Sequence, residues 1–169
     1  MLIRYSFALT AAVAAIPAHA AELTLRITLP RIDVAEYHRP YVAAWIEKAG
    51  DQSFAGNLAV WYDLKKRDNG GTKWLKDMRQ WWRKSGQQVA LADGVSGATR
   101  SAGEQSLNLL ESKAVTALAP GQYQVVVEAA RENGGREVLK LPFTWPVKAE
   151  SAKVTGEGEL GAIAIEAKP

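Results

Sequence analysis

Short segments of alternating polar and apolar residues recur along the chain. The first, Glu22–Leu29, alternates at every position, as expected of a strand with one buried face. Branched and aromatic residues between Gly and Pro positions indicate further strands. The predicted strands are residues 22–29, 41–46, 58–62, 125–130, 138–143 and 162–167. Asn133, Gly134 and Gly135 separate two of them, which predicts a β-hairpin.

One segment has the period of a helix instead. Thr72 suits an N-cap, and Gly86 follows the predicted end. Apolar residues at helical spacing form a single face, made of Trp74, Leu75, Met78, Trp81 and Trp82. The basic residues of the opposite face are Lys76, Arg79 and Arg83. We therefore predict one α-helix at about residues 72–85 that packs on a sheet through its tryptophans and exposes its basic face.

Many short strands with Gly and Pro turns, together with a single helix, predict a mainly β fold. The arrangement favoured is an antiparallel β-sandwich with one inserted helix. No internal repeat, low-complexity tract or linker divides the chain, so residues 21–169 are predicted to form one domain. The polar residues 148–159 are predicted to be a surface connection.

The N-terminus has the pattern of a secretory signal peptide. Arg4 precedes an apolar run at residues 5–16, Pro17 ends that run, and Ala18-His19-Ala20 has the small-x-small pattern of a cleavage site. The alternative is an uncleaved anchor, but the run is shorter than the ~20 apolar residues that span a bilayer. We predict that residues 1–20 are removed and that the protein is periplasmic.

Composition excludes several classes of function. The chain contains no cysteine, which excludes disulfides, thiolate metal sites and cysteine nucleophiles. Its formal charge of +3 falls by one when Arg4 is removed, which is too small an excess to favour nucleic-acid binding. His38 is the one histidine of the predicted mature chain, and it is predicted to be a surface or turn residue. A His-rich metal site is excluded, and a hydrolase mechanism would have only His38 as its catalytic histidine.

The heptapeptide Asp93-Gly-Val-Ser-Gly-Ala-Thr99 resembles a known attachment signature. Proteins that carry FMN covalently, such as the FMN-binding subunits of sodium-pumping quinone reductase, contain Asp-x-x-Ser/Thr-Gly-Ala-Thr. In those proteins a flavin transferase moves FMN from FAD onto the last Thr. The resemblance implies an FMN phosphoester on Thr99. The alternative interpretation is an ordinary Asp-Gly surface turn.

The residue types of this segment suit such a modification. A threonine hydroxyl can accept a phosphoryl group when a transferase positions it. Gly97 and Ala98 add little bulk, so a loop that contains them can enter another enzyme's active site. Asp93 and Ser96 can brace the turn through nearby backbone amides. Arg100 can balance the charge of the phosphate.

Most of the predicted mature chain resembles a family of exported bacterial proteins, domain of unknown function 2271. The quoted segments are residues 41–47, 58–63, 73–83, 121–123, 128–132, 134–136, 143–146 and 158–161. Members are similar to partners of PepSY-type membrane proteins and of flavin transferases, which implies transmembrane electron flow. The second half also looks like the immunoglobulin-like domain of the flagellar hook-capping protein, which implies an immunoglobulin-like sandwich. Residues 109–115 depart from that domain's Trp-Asp-Gly-x-Asp turn.

These features favour a periplasmic electron carrier that holds FMN on Thr99 and exchanges electrons with a PepSY-type membrane protein. The tryptophans of the Trp74–Trp82 helix, above all Trp81 and Trp82, are the predicted wall for the flavin ring, and spacing alone leaves open which rings face the flavin and which face the core. Residues 63–84 carry eight basic and three acidic side chains. This basic excess suits binding of the FMN phosphate, of the transferase or of anionic lipid, and the alternative is a face that only contacts solvent. The alternative from another class is a cofactor-free immunoglobulin-like binding or assembly module.

Overall fold

The computed structural model describes residues 22–86, 95–148 and 151–168. Its strands are β1 (Glu22–Leu29), β2 (Tyr41–Lys48), β3 (Phe54–Tyr62), β4 (Ser96–Ala98), β5 (Gly103–Asn108), β6 (Gly121–Ala130), β7 (Arg136–Trp145), β8 (Ser151–Thr155) and β9 (Ala162–Lys168). The helical pieces are 3₁₀ turns at Arg67–Asp77 and Leu109–Glu111, α-helical turns at Arg79–Trp81 and Lys113–Thr116, and a π turn at Trp82–Gly86. The predicted signal peptide and Asp93 lie outside the described residues.

The strands form two sheets. One has four strands in the order β5-β1-β9-β8, and the other has five strands in the order β4-β3-β2-β6-β7. All described pairings are antiparallel except that of β3 with β4. The predicted mainly β sandwich is thereby confirmed, and so is the hairpin of β6 and β7.

The main core fills the space between the two sheets. The apolar residues of β1 are all buried, at most 1% exposed, because every second side chain of a strand faces the same side. From the other sheet, Ile46, Val125 and Val127 pack in the same cluster. The period-two pattern of the sequence therefore arises because one face of the sheet is buried by a second sheet.

The outer face of the five-stranded sheet is also covered, by residues 67–86. Leu75, Met78 and Trp81 pack there against Trp45 and residues of β3 and β6. Both faces of the central strands are therefore buried, which explains why β2 and β6 read as nearly continuous apolar runs.

The covering segment, residues 67–86, is not the single α-helix that its period predicts. Asp68 and Asn69 have φ angles of 54°, in the left-handed region, and the Thr72 hydroxyl donates to the carbonyl of Asn69 instead of capping a helix. The carboxylate of Glu128 accepts the backbone N–H groups of Gln80 and Trp81 at 3.1 and 2.7 Å. A side chain of β6 thus replaces the intrahelical acceptors, and helical geometry restarts at this point.

Residues 148–159 also differ from the prediction, because they include the edge strand β8. The turn that follows β8 is held by the carboxylate of Glu137. Burial alone would raise the pKa of Glu137, but hydrogen bonds from the backbone N–H groups of Glu157, Leu160 and Gly158 outweigh it and lower that pKa.

Candidate functional site

A cavity of about 390 Å³ opens at one end of the five-stranded sheet, on its outer side. Tyr41 begins β2, whereas Tyr62, Ala98 and Ala130 end β3, β4 and β6. Because β2 is antiparallel to β3 and β6, and β4 is parallel to β3, these four strand ends meet at the same edge. The volume lies within the roughly 300–1,000 Å³ that is usual for small-molecule sites.

Three further segments complete the wall. They are the connection between β1 and β2, the residues after β3 with the covering segment, and the turn after β6. They contribute Tyr37, His38, Arg39, Asp63, Leu64, Lys65, Lys66, Trp74, Asp77, Arg131 and Glu132, and Thr99 follows β4 in the same wall.

Gly71 brings the covering segment close to the end of β3. A Cβ atom at this position would overlap the carbonyl oxygen of Asp63, so only glycine allows the two backbones to approach this closely. The cavity wall formed by Asp63 and Trp74 depends on that approach.

Aromatic side chains supply much of the apolar surface. The rings of Tyr41 and Tyr62 meet edge to face, with centroids 6.4 Å apart. The ring of Trp74 lies 5.5 Å from the ammonium group of Lys66, and the ring of Tyr37 lies 6.0 Å from the guanidinium of Arg131. Both pairs have the geometry of a cation–π contact.

The hydroxyl of Tyr41 is buried and has no hydrogen bond of normal geometry among the described residues. Burial raises the pKa of Tyr41, and the nearby backbone of Asp63 opposes this to a smaller extent. The hydroxyl is therefore a neutral polar group buried beside the cavity.

Charged side chains surround the histidine of the cavity. The imidazole of His38 has Nε2 3.3 Å from Glu36 and Nδ1 3.8 Å from Glu132, and the Lys66 ammonium lies 3.5 Å from the same Glu132 carboxylate. His38 was expected at the surface or in a turn. Its side chain is 32% exposed and lies in the cavity wall.

An ion pair of Arg131 connects the cavity wall to the other sheet. Its guanidinium forms a two-pronged ion pair with Glu159, with Nε–Oε2 at 2.9 Å and Nη2–Oε1 at 3.0 Å, and the two side chains are 7% and 6% exposed. Glu159 also accepts the N–H of Gly135 at 2.8 Å. One carboxylate between β8 and β9 thus fixes both the turn after β6 and a side chain of the cavity.

Residues 22–162 match the family model described as "Predicted periplasmic protein (DUF2271)". The chain belongs to the DUF2271 family. The periplasmic location predicted from the N-terminal segment agrees with this description and is confirmed. Searches of curated proteins and of solved structures found no match.

In this DUF2271 protein, Thr99 and Ala98 of the predicted attachment segment line the cavity. Ser96–Ala98 is the strand β4, and the Thr99 N–H donates to the carbonyl of Tyr62 at 3.2 Å. A Cβ atom on Gly97 would lie 3.3 Å from the Trp61 ring, so glycine suits this position next to a large side chain. The segment is thus attached to the sheet edge directly before Thr99.

Arg100, Trp81 and Trp82, which were also predicted for the site of this DUF2271 protein, lie outside the cavity wall. The Arg100 guanidinium stacks on Trp61 at 5.4 Å and is not part of the cavity wall. Trp81 is fully buried, with Nε1 bonded to Asn57 at 2.8 Å, and Trp82 packs against it. Neither tryptophan lines the cavity, and Trp74 of the same segment does.

Sequence reasoning missed most of the cavity. Tyr37, His38 and Tyr41 are close in sequence, but Tyr62 and Arg131 come from other segments, and no spacing along the chain connects the three groups. Among the described residues of the DUF2271 chain, no group of three or more His, Asp or Glu side chains has the arrangement of a metal site. Within the same described ranges, no helix has both the length and the apolar character needed to cross a bilayer.

Proposed function

We propose that this protein is a periplasmic electron carrier that bears FMN covalently on Thr99. The observation that supports the proposal most directly is the position of Thr99 in the wall of a cavity lined by aromatic side chains. The attachment-like segment and the cavity are independent features, one of sequence and one of tertiary structure, and they coincide at this threonine.

The attachment step is a phosphoryl transfer from FAD. The Oγ of Thr99 forms a bond to the phosphorus of the FMN half, the pyrophosphate bond breaks, and AMP leaves. The hydroxyl proton goes to a base of the flavin transferase, which is the partner in this step. The product is an FMN phosphodiester, and no other bond of the chain changes.

The residues around Thr99 fit this role. Ala98 and Gly97 add little bulk beside the hydroxyl, and β4 together with the Thr99 N–H bond to Tyr62 holds the backbone directly before it. Bound FMN would supply reversible acceptance and donation of electrons, and a covalent link would prevent its loss from an exported protein. The proposed electron-transfer partner is a PepSY-type membrane protein.

The test is co-expression of the exported chain with a flavin transferase, followed by intact mass and in-gel fluorescence. We expect a mass gain of one FMN less one water, abolished by Thr99→Ala and retained in the neighbouring control Ser101→Ala. An unmodified mass, obtained while the same transferase modifies a known FMN acceptor, would overturn the proposal. It would favour the cofactor-free binding or assembly module instead.

A further inference from the structure

We infer that the cavity is the binding site for an uncharged isoalloxazine ring and that Trp74 is the residue against which this ring packs. The inference rests on the proposed function for the identity of the ring. It replaces Trp81 and Trp82, which the sequence favoured, with a tryptophan from the preceding turn of the covering segment.

Exposed apolar surface is concentrated at this cavity. The exposed large hydrophobic side chains of the described residues are Val34, Tyr37, Leu64 and Trp74. Tyr37, Leu64 and Trp74, which are 38%, 50% and 41% exposed, all line the cavity. Leaving such surface in water is unfavourable, and its concentration around one concave site is typical of a place that a ligand covers.

The side chains around the cavity favour a flat, aromatic ligand. Tyr41 and Tyr62 line the cavity from the sheet, and Trp74 lines it from the covering segment. Aromatic walls favour aromatic ligands through offset and edge-to-face contacts.

The charges of the wall favour a neutral ring. The wall has four basic side chains and three acidic ones, and Arg131 is already paired with Glu159. The basic residues are Arg39, Lys65, Lys66 and Arg131, and the acidic ones are Asp63, Asp77 and Glu132. The wall thus has no net excess of cations that would select an anionic ligand. Since Thr99 lies in the same wall, a group on its oxygen would be attached at the cavity.

Trp74→Leu tests the inference, with Trp82→Leu as the matched control from the same segment. Indole quenches flavin fluorescence when the two rings stack. In protein whose mass shows one FMN on Thr99, we expect Trp74→Leu to raise the flavin emission several-fold and to increase its quenching by iodide. Trp82→Leu should leave both near wild type, and circular dichroism should show that both variants are folded. Equal emission and equal iodide quenching in wild type and Trp74→Leu would overturn the inference.

If Thr99 proves to carry no FMN, the proposed attachment fails and the cavity is tested separately with free riboflavin. Quenching of riboflavin by the wild-type chain, weakened by Trp74→Leu and not by Trp82→Leu, would support the ring site without the covalent link. Riboflavin emission that is unchanged by excess wild-type chain, or equally quenched by Trp74→Leu, would overturn the ring site as well.

Discussion

At the scale of single residues, Gly71 has the strictest steric requirement near the cavity. The covering segment can lie against the end of β3 only if position 71 has no side chain, because the carbonyl oxygen of Asp63 occupies that space. The obstacle is backbone, which cannot rotate away as a flexible side chain would.

We expect Gly71→Ala to destabilise the fold by about 1–3 kcal/mol, the usual cost of inserting a methyl group into packed surroundings. Urea unfolding followed by tryptophan fluorescence measures this loss. Gly50→Ala is the control, because a Cβ atom there meets nothing within 4 Å. If both substitutions lower the free energy of unfolding equally, the close approach at Asp63 has no special energetic role.

At the scale of elements, the covering segment is held to the sheet by one carboxylate as well as by its apolar face. Glu128 is fully buried, and it accepts the Gln80 and Trp81 N–H groups while Arg136 donates to it at 2.7 Å. The segment has no side-chain cap at its Arg79–Trp81 turn, so this carboxylate from β6 acts as the acceptor for that turn.

We expect Glu128→Gln to lower the free energy of unfolding by about 1.5–3 kcal/mol, because hydrogen bonds to a buried charged acceptor are lost. Hydrogen exchange should accelerate most at the amides of Gln80 and Trp81. The control is Glu104→Gln, since Glu104 is 50% exposed and solvent screens its pair with Arg26, so that this substitution should change the stability much less. Unchanged protection at Gln80 and Trp81 would contradict the anchoring role.

Strands with a strong apolar pattern, including the edge strand β7, could be predicted from the sequence, and the other edge strands could not. The bounds of β1 are those predicted, because its alternation is uninterrupted. β5 and β8 were missed because both lie at sheet edges, where polar and small residues remain largely exposed and leave a weak pattern. In the covering segment, the period identified the buried residues Leu75, Met78 and Trp81 correctly. It could not reveal that Glu128, far away in sequence, interrupts the helix.

The candidate site, too, could be predicted from the sequence only in part. The heptapeptide pointed to Thr99 through local sequence alone, and the structure places that residue in the cavity wall. Trp74 was assigned to the buried face because helical spacing places it beside Trp81 and Trp82. The irregular turns rotate it outward, to 41% exposure. The place of His38 in the cavity wall was missed because Glu132, 3.8 Å from its imidazole, comes near only in the folded chain.

At the scale of the whole molecule, the Arg131–Glu159 pair joins the two sheets. Arg131 follows β6 of one sheet and Glu159 precedes β9 of the other, and both side chains are almost completely buried. Removal of one partner leaves the other charge buried without compensation, which costs far more than the pair contributes when it is intact.

We expect Glu159→Gln to destabilise the protein by on the order of 3 kcal/mol, because the Arg131 guanidinium loses its counter-charge. The double variant Arg131→Met with Glu159→Leu removes both charges and should recover part of that loss. Thermal and urea unfolding of the three proteins measure the difference. A double variant less stable than Glu159→Gln would show that loss of the ion pair itself, and not the unpaired charge, causes most of the destabilisation.

Because the cavity wall is assembled from distant segments, a ligand can bind there only while the whole chain is folded. Tyr37, Trp74, Thr99 and Arg131 stand far apart in the sequence, and one of them is fastened to the opposite sheet. Unfolding of either sheet therefore dismantles the binding surface. By mass action, a molecule that binds only the assembled surface shifts the folding equilibrium toward the native state. A chromophore held there would change its spectrum at the temperature at which the sandwich melts, and its colour would report on folding.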